Sequence, residues 1–149
     1  ASQAGDWFLK FAPFVYDPTF GILSNFDRLA ASRKWGDKLT RKHWAECQAV
    51  EFGQLYGKDS TKLEAWQQLC RDVNIDPVPD SITQCKKASR SRKVWVNLVN
   101  LIDHRNLGVE LIRFKNYRQF QEYTVELGNI FPKKKARENG FICALLRKL

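Results

Sequence analysis

The stretch from residue 60 to residue 103 constrains the fold most, because apolar residues recur in it at helical spacing on both sides of a proline-containing turn. In its first part, steps of three and four residues place one set of apolar side chains on a single helix face: Leu63, Trp66, Leu69, Cys70 and Val73. Ser60 or Thr61 can cap the start of this helix with a side-chain oxygen. Pro77 and Pro79 prevent the helix from continuing.

A second, basic helix is predicted after the turn, with Asp80 or Ser81 as its cap. Residues 86–93 contain five cations and no acidic residue. The cations are Lys86, Lys87, Arg90, Arg92 and Lys93. This pattern is typical of a helix-turn-helix variant whose second helix contacts phosphates, although the turn is longer than in that motif. In the alternative interpretation the basic face is only solvated and Trp95 packs into the core.

The positive charge is concentrated in the second half of the chain. The 149 residues carry a formal net charge of +9. Residues 1–75 hold 10 Lys and Arg against 9 Asp and Glu, whereas residues 76–149 hold 15 against 7. This asymmetry indicates an anionic partner, either nucleic acid (DNA or RNA) or an acidic protein, or else a device for solubility.

A second basic run follows Pro132, which can start a last helix at its favoured first position. Cations crowd the first turns of this helix, namely Lys133, Lys134, Lys135 and Arg137. Positive charge is unfavourable at a helix N-terminus, so the cluster indicates a use such as holding an anion. We therefore predict nucleic-acid-binding helices in residues 81–93 and 132–138, with Trp95 stacking on a base and Tyr117 and Phe131 nearby.

Other helices are predicted from caps and breakers along the chain. Asp17–Pro18 is a typical helix start for a segment that ends at Gly36, with a buried stripe of Phe20, Leu23, Phe26, Leu29 and Ala30. Thr40 can cap a helix that stops at Gly57. The apolar run 94–102 can be a strand or a helix, and we expect a helix from Asn97.

The remaining elements are one strand candidate and one further helix. Residues 109–114 have the composition of a short strand, and Asn116 can cap the helix that follows. The pattern of residues 120–132 resembles that of residues 63–77: each predicts a helix and then a turn that ends in proline. This similarity is either a duplicated helix-turn-helix-like unit or ordinary helix punctuation.

No residue pattern predicts catalysis, a metal site or a cofactor. The chain has two histidines and lacks glycine-rich phosphate loops and paired-carboxylate or zinc-protease motifs. Cys47, Cys70, Cys85 and Cys143 lie far apart without a CxxC pair, which favours reduced thiols in an intracellular protein, nuclear or cytoplasmic, over zinc or disulfides. No apolar run is long enough to span a membrane, and no secretory signal is visible.

Several segments together resemble a family of small proteins from filamentous ascomycete fungi that has no assigned activity. They are FDRLAASRKW, KLEAWQQLC, SITQCKK, VNLVNLID and the FP…AR…G…LLR ending, and they span residues 7–149. The resemblance implies a source and one shared architecture but no functional residues. At residues 88–90 this chain departs from the more apolar segment expected of the family.

We therefore expect a mainly α, compact multi-helix domain at residues 6–149, with helix-turn-helix-like units, at most one short β element and a flexible N-terminus at residues 1–5. The predicted function is a non-enzymatic module that binds nucleic acid. The alternative is a protein-interaction module or a self-associating scaffold that forms a homo-oligomer. Either would use the aromatic cluster of Trp7, Phe8, Phe11 and Phe14.

Overall fold

The protein is mainly helical, as the helical periodicity predicted. The computed structural model describes residues 4–57, 59–91, 93–126 and 139–146. Its helices are a 3₁₀ helix at Asp6–Phe11 and the α-helices α1 (Ile22–Arg33), α2 (Asp37–Tyr56), α3 (Leu63–Asp72), α4 (Ile82–Ser89), α5 (Leu98–Leu107), α6 (Tyr117–Glu126) and α7 (Gly140–Leu146). Within these ranges no helix is long and apolar enough to cross a membrane.

Helix α2 lies at the centre of the packing. It contacts the 3₁₀ helix, α3 and α5, while α1 packs on α5. Its inner face includes Cys47 and Phe52, both fully buried, and α5 contributes the fully buried Leu101 and Ile102. Burying apolar side chains of this size typically stabilises a fold by about 1.5–3 kcal/mol each, so this layer contributes substantially to stability.

Helices α3 and α4 form a helical hairpin against which α7 packs. The predicted stripe of α3 is buried except at its start, where Leu63 is half-buried; Trp66 and Val73 are both at 0% exposure. The cap predicted at Ser60 or Thr61 is wrong, because the helix starts after Lys62 without a side-chain cap bond. Asn74 ends α3 in the left-handed conformation (φ 62°), and the amide of Ile75 closes the helix on the carbonyl of Cys70 at 2.9 Å. The ring of Phe141 on α7 lies 4.5 Å from that of Trp66.

The start of α1 was predicted one turn too early. The carboxylate of Asp17 accepts hydrogen bonds from the amide and hydroxyl of Thr19, and the amide of Phe20 bonds to the Asp17 carbonyl. The buried amide of Asn25 holds this turn by donating to three carbonyls, those of Asp17, Phe20 and Gly21. Because the helix begins only at Ile22, Phe20 is 49% exposed, and its placement in the buried stripe was wrong.

Helix α2 also differs from the prediction at its start. It begins at Asp37, one turn before Thr40, whose hydroxyl donates to the carbonyl of Trp35. Its predicted end at Gly57 is confirmed, because the Gly57 amide bonds to the Gly53 carbonyl and Gly57 has a positive φ of 76°.

The predicted strand at residues 109–114 is wrong. Within the described ranges, this segment makes only an isolated antiparallel bridge between Trp95 and Phe114. It is held instead by Asn100 of α5, which donates to the Glu110 carbonyl and accepts the Ile112 amide at 2.7 Å. A partner strand is missing from the described part of the chain, so side-chain bonds replace a ladder.

The N-terminal segment is attached to the core from residue 5 onward. Gly5 is buried, and its amide donates to the carboxylate of Glu51 at 2.6 Å, as does the amide of Trp7 at 3.1 Å. The flexible segment expected at residues 1–5 stays a prediction, and these contacts show only that Gly5 is held against α2. Residues 1–3 lie outside the described part of the chain.

Candidate nucleic-acid interface

The basic helix α4 is positioned by its cap and its apolar face. The hydroxyl of Ser81 accepts the amide of Gln84 at 3.2 Å, which confirms the predicted cap. Cys85 and Ser89, four residues apart, are fully buried and turn one side of α4 toward the interior. The lysines that follow Cys85 therefore emerge beside the buried side, near the C-terminal end of the helix.

Four of the predicted cations form what we call the α4 basic strip: Lys86, Lys87, Arg90 and Lys93. Lys87 and Lys93 are exposed, and Lys86 and Arg90 are half-buried. Helical spacing places Lys86 and Arg90 on one side of α4. Among the residues that the structure describes, no carboxylate lies within 4.0 Å of any of these four cationic groups.

Part of this charge has a structural explanation. Lys86 and Lys87 occupy the last turn of α4, where positive charge interacts favourably with the helix dipole. The ammonium of Lys86 also lies 5.7 Å from the centre of the Trp66 ring, a cation–π distance. Neither explanation applies to Lys93, which follows the helix in an exposed turn.

Trp95 does not lie where base stacking requires it. Its side chain is 4% exposed and packs against the rings of Tyr117 at 5.3 Å and Phe120 at 5.7 Å. The prediction that Trp95 stacks on a base is therefore not supported by the structure, and the alternative, Trp95 in the core, describes its position. The exposed ring at this place is Tyr117, at 40%.

The structure adds a second basic segment that the sequence analysis missed. The amide of Phe114 bonds to the carbonyl of Trp95 at 2.9 Å in an antiparallel bridge, so residues 113–115 run beside residues 94–96. This contact brings the exposed residues Arg113 and Lys115 next to the α4 basic strip. The only signal in the sequence was two cations spaced by one residue, and nothing local indicated their neighbour.

The other predicted site residues lie outside the described part of the chain. These are Arg92, Lys133, Lys134, Lys135 and Arg137. The second predicted basic helix, at residues 132–138, and the second helix-turn-helix-like unit therefore remain predictions.

The buried cysteines and the nearby His43 do not come together as a metal site. His43 stacks on the ring of Trp35 at 4.2 Å, and Cys47 lies fully buried. Cys70 and Cys85 do approach each other across α3 and α4, with the Cys70 thiol 3.9 Å from the Cys85 carbonyl. Burial raises the pKa of the Cys70 thiol to about 12, so this thiol is protonated at neutral pH. Among the described residues no group of three or more metal-binding side chains occurs.

The N-terminal aromatic cluster is largely internal. Trp7 and Phe8 are 3% and 1% exposed, and Phe11 and Phe14 are half-buried. The exposed apolar side chains of this region are different ones, Leu9 at 72% and Val15 at 74%, together with Phe20. An interaction through this region would therefore use the rim of the cluster and not its centre.

Comparisons of this chain with protein-family models, with curated proteins and with solved structures found no match. The resemblance to the fungal family stays a prediction.

Proposed function

We propose that this protein is a non-enzymatic nucleic-acid-binding module, nuclear or cytoplasmic, whose contact surface includes the α4 basic strip. The observation that supports the proposal most directly is a group of four cations at one end of α4 without a described carboxylate partner. Cations in this state keep their charge available for phosphates. Phosphate contacts dominate the affinity of most such modules.

The proposal makes a quantitative prediction about salt. Replacing Lys86, Lys87 and Arg90 together by Gln removes three phosphate contacts while keeping good helix formers in α4. The slope of log affinity against log salt should fall by about 3 for duplex DNA and by about 2 for a single strand. Fluorescence anisotropy of labelled DNA and RNA, titrated between about 50 and 200 mM salt, measures this slope.

A matched control is available on α2. Lys38, Arg41 and Lys42 are exposed cations outside the proposed surface, and replacing all three by Gln changes the net charge by the same amount. This control should leave the slope close to that of the unaltered protein. Equal losses from both triple variants would show a diffuse charge effect, and no binding at low salt would refute the proposal.

A second candidate function is protein interaction or self-association through the rim of the N-terminal aromatic cluster. It is supported by Val15 and Phe20, which are exposed on either side of Arg28. The Arg28 guanidinium donates to the Val15 carbonyl at 3.3 Å and lies 6.0 Å from the Phe20 ring. An acidic protein partner for the basic second half belongs to the same class of function.

A further inference from the structure

Two segments distant in sequence meet at the end of the α4 basic strip. The guanidinium of Arg113 donates to the carbonyl of Asn74 at 2.7 Å and to the carbonyl of Lys93 at 2.9 Å. It thereby joins the end of α3, the turn after α4 and the segment before α6. Arg113 acts here as a positioning residue, because it fixes the backbone of Lys93 beside residues 113–115.

An exposed aromatic ring stands next to this junction. Tyr117 is the first residue of α6, and its ring lies 5.3 Å from the Trp95 ring at an interplanar angle of 54°. Trp95 supports the tyrosine from the protein side, while 40% of Tyr117 is open to solvent. The ring is therefore supported by a buried aromatic side chain and still accessible.

The backbone around Tyr117 is also well defined. The side chain of Asn116 accepts the Gln119 amide at 3.0 Å, which confirms the predicted cap of α6. The Gln119 side chain in turn accepts the amide of Lys115 at 3.3 Å. These reciprocal bonds resemble a capping box and restrict how Tyr117 and Lys115 are presented.

We propose that Tyr117, flanked by Lys93 and Lys115, is a stacking platform for a base of single-stranded nucleic acid. The inference rests on the proposed function and deepens it by naming the ligand class. Proteins that bind single strands combine cations along the backbone with aromatic rings that take up unstacked bases. A duplex keeps its bases stacked inside, so it gains nothing from this ring.

Neighbouring charges define the extent of the platform. Arg118 is not counted as an unpaired cation of the platform, because its exposed guanidinium lies 3.2 Å from the carboxylate of Glu122. Lys93 and Lys115 are both exposed, and among the described residues neither ammonium has a carboxylate within 4.0 Å. Each of the two segments that meet at the bridge between Trp95 and Phe114 therefore carries one available cation.

The test compares variants of Tyr117 on single-stranded and duplex ligands. Replacing Tyr117 by Leu keeps an apolar side chain over Trp95 but removes the ring, whereas replacing it by Phe keeps the ring. With a labelled oligouridine of about 12 nucleotides, Tyr117→Leu should weaken binding about 5- to 100-fold, and Tyr117→Phe should bind like the unaltered protein. Affinity for a duplex of the same length should be the same for all three proteins.

The matched control is Phe20→Leu, which removes a ring of similar exposure (49%) beside Arg28. It should leave both affinities unchanged. Far-UV circular dichroism and thermal unfolding establish that each variant is folded.

The possible results separate this inference from the function on which it rests. If the oligouridine binds in a salt-dependent way and Tyr117→Leu does not weaken it, the platform is refuted and the nucleic-acid function stands. If Tyr117→Leu weakens duplex and single strand equally, the ring is not a base-stacking site. If neither ligand binds at low salt, both proposals fail.

Discussion

At the scale of single residues, Glu51 shows how one buried carboxylate positions a terminal segment. It is 2% exposed and accepts the amides of Gly5 and Trp7, which attach the 3₁₀ helix to α2. Burial raises the pKa of Glu51 above its ordinary value of 4.5, the charge of Asp6 adds to this, and the two amide bonds oppose it. The ionised form is therefore more costly in the folded protein than in the unfolded chain.

This shift predicts the sign of a pH dependence. Because the folded-state pKa of Glu51 is the higher one, the native protein binds more protons between the two pKa values, and stability falls as pH rises through them. The side chain that replaces the carboxylate in the variant Glu51→Gln does not titrate, so the stability of this variant lacks the pH dependence that Glu51 causes. Urea unfolding of both proteins from below pH 4.5 to neutrality should show the free energy of unfolding of the unaltered protein falling relative to that of the variant. A constant difference, or a rise, would contradict the burial argument.

At the scale of helices, the N-cap residues of α5 and α4 differ in how deeply they are buried. Asn97 is 2% exposed, accepts the amides of Val99 and Asn100 at 2.9 and 3.2 Å, and donates to the hydroxyl of Thr124 at 3.0 Å. It thus starts α5 and also joins that helix to α6. Ser81, at the start of α4, is exposed and accepts only the Gln84 amide among the described contacts.

The two caps should therefore differ in energetic weight. Asn97→Ala leaves buried amides without a partner and should lower the free energy of unfolding by about 2 kcal/mol, near the upper end for a cap. Ser81→Ala leaves the amide of Gln84 to bond with water, and it should lower the free energy of unfolding by about 0.5–1 kcal/mol. Chemical denaturation of the two variants measures both values, and equal costs would show that burial does not determine the strength of these caps.

At the scale of the whole molecule, the burial of the cysteine thiols reflects how closely the helices pack. Cys47, Cys70 and Cys85 are fully buried, and burial raises the pKa of each thiol. Cys143 on α7 is half-buried. Three of the four thiols are thus both inaccessible and in their unreactive protonated form.

A thiol-reactive dye should therefore label the native protein in two phases. Cys143 should react quickly, while the other three should react only when the fold opens, and all four should react at once in denaturant. Cys143→Ser is the control and should abolish the fast phase alone. Two or more fast thiols in the native protein would mean that the α3–α4 hairpin or the centre of α2 opens far more readily than its packing indicates.

Local patterns in the sequence were enough for the buried face of α3 but not for its cap. They were also enough for the caps Ser81, Asn97 and Asn116 and for the stop at Gly57, because helical spacing and capping depend on residues a few positions apart. Tertiary contacts decided the rest. Phe20 is exposed because Asn25 holds the preceding turn, and Trp95 is buried because residues 113–120 cover it. The platform around Tyr117 depends on the bridge between Trp95 and Phe114, a contact between segments whose separation along the chain leaves no periodic trace in the sequence.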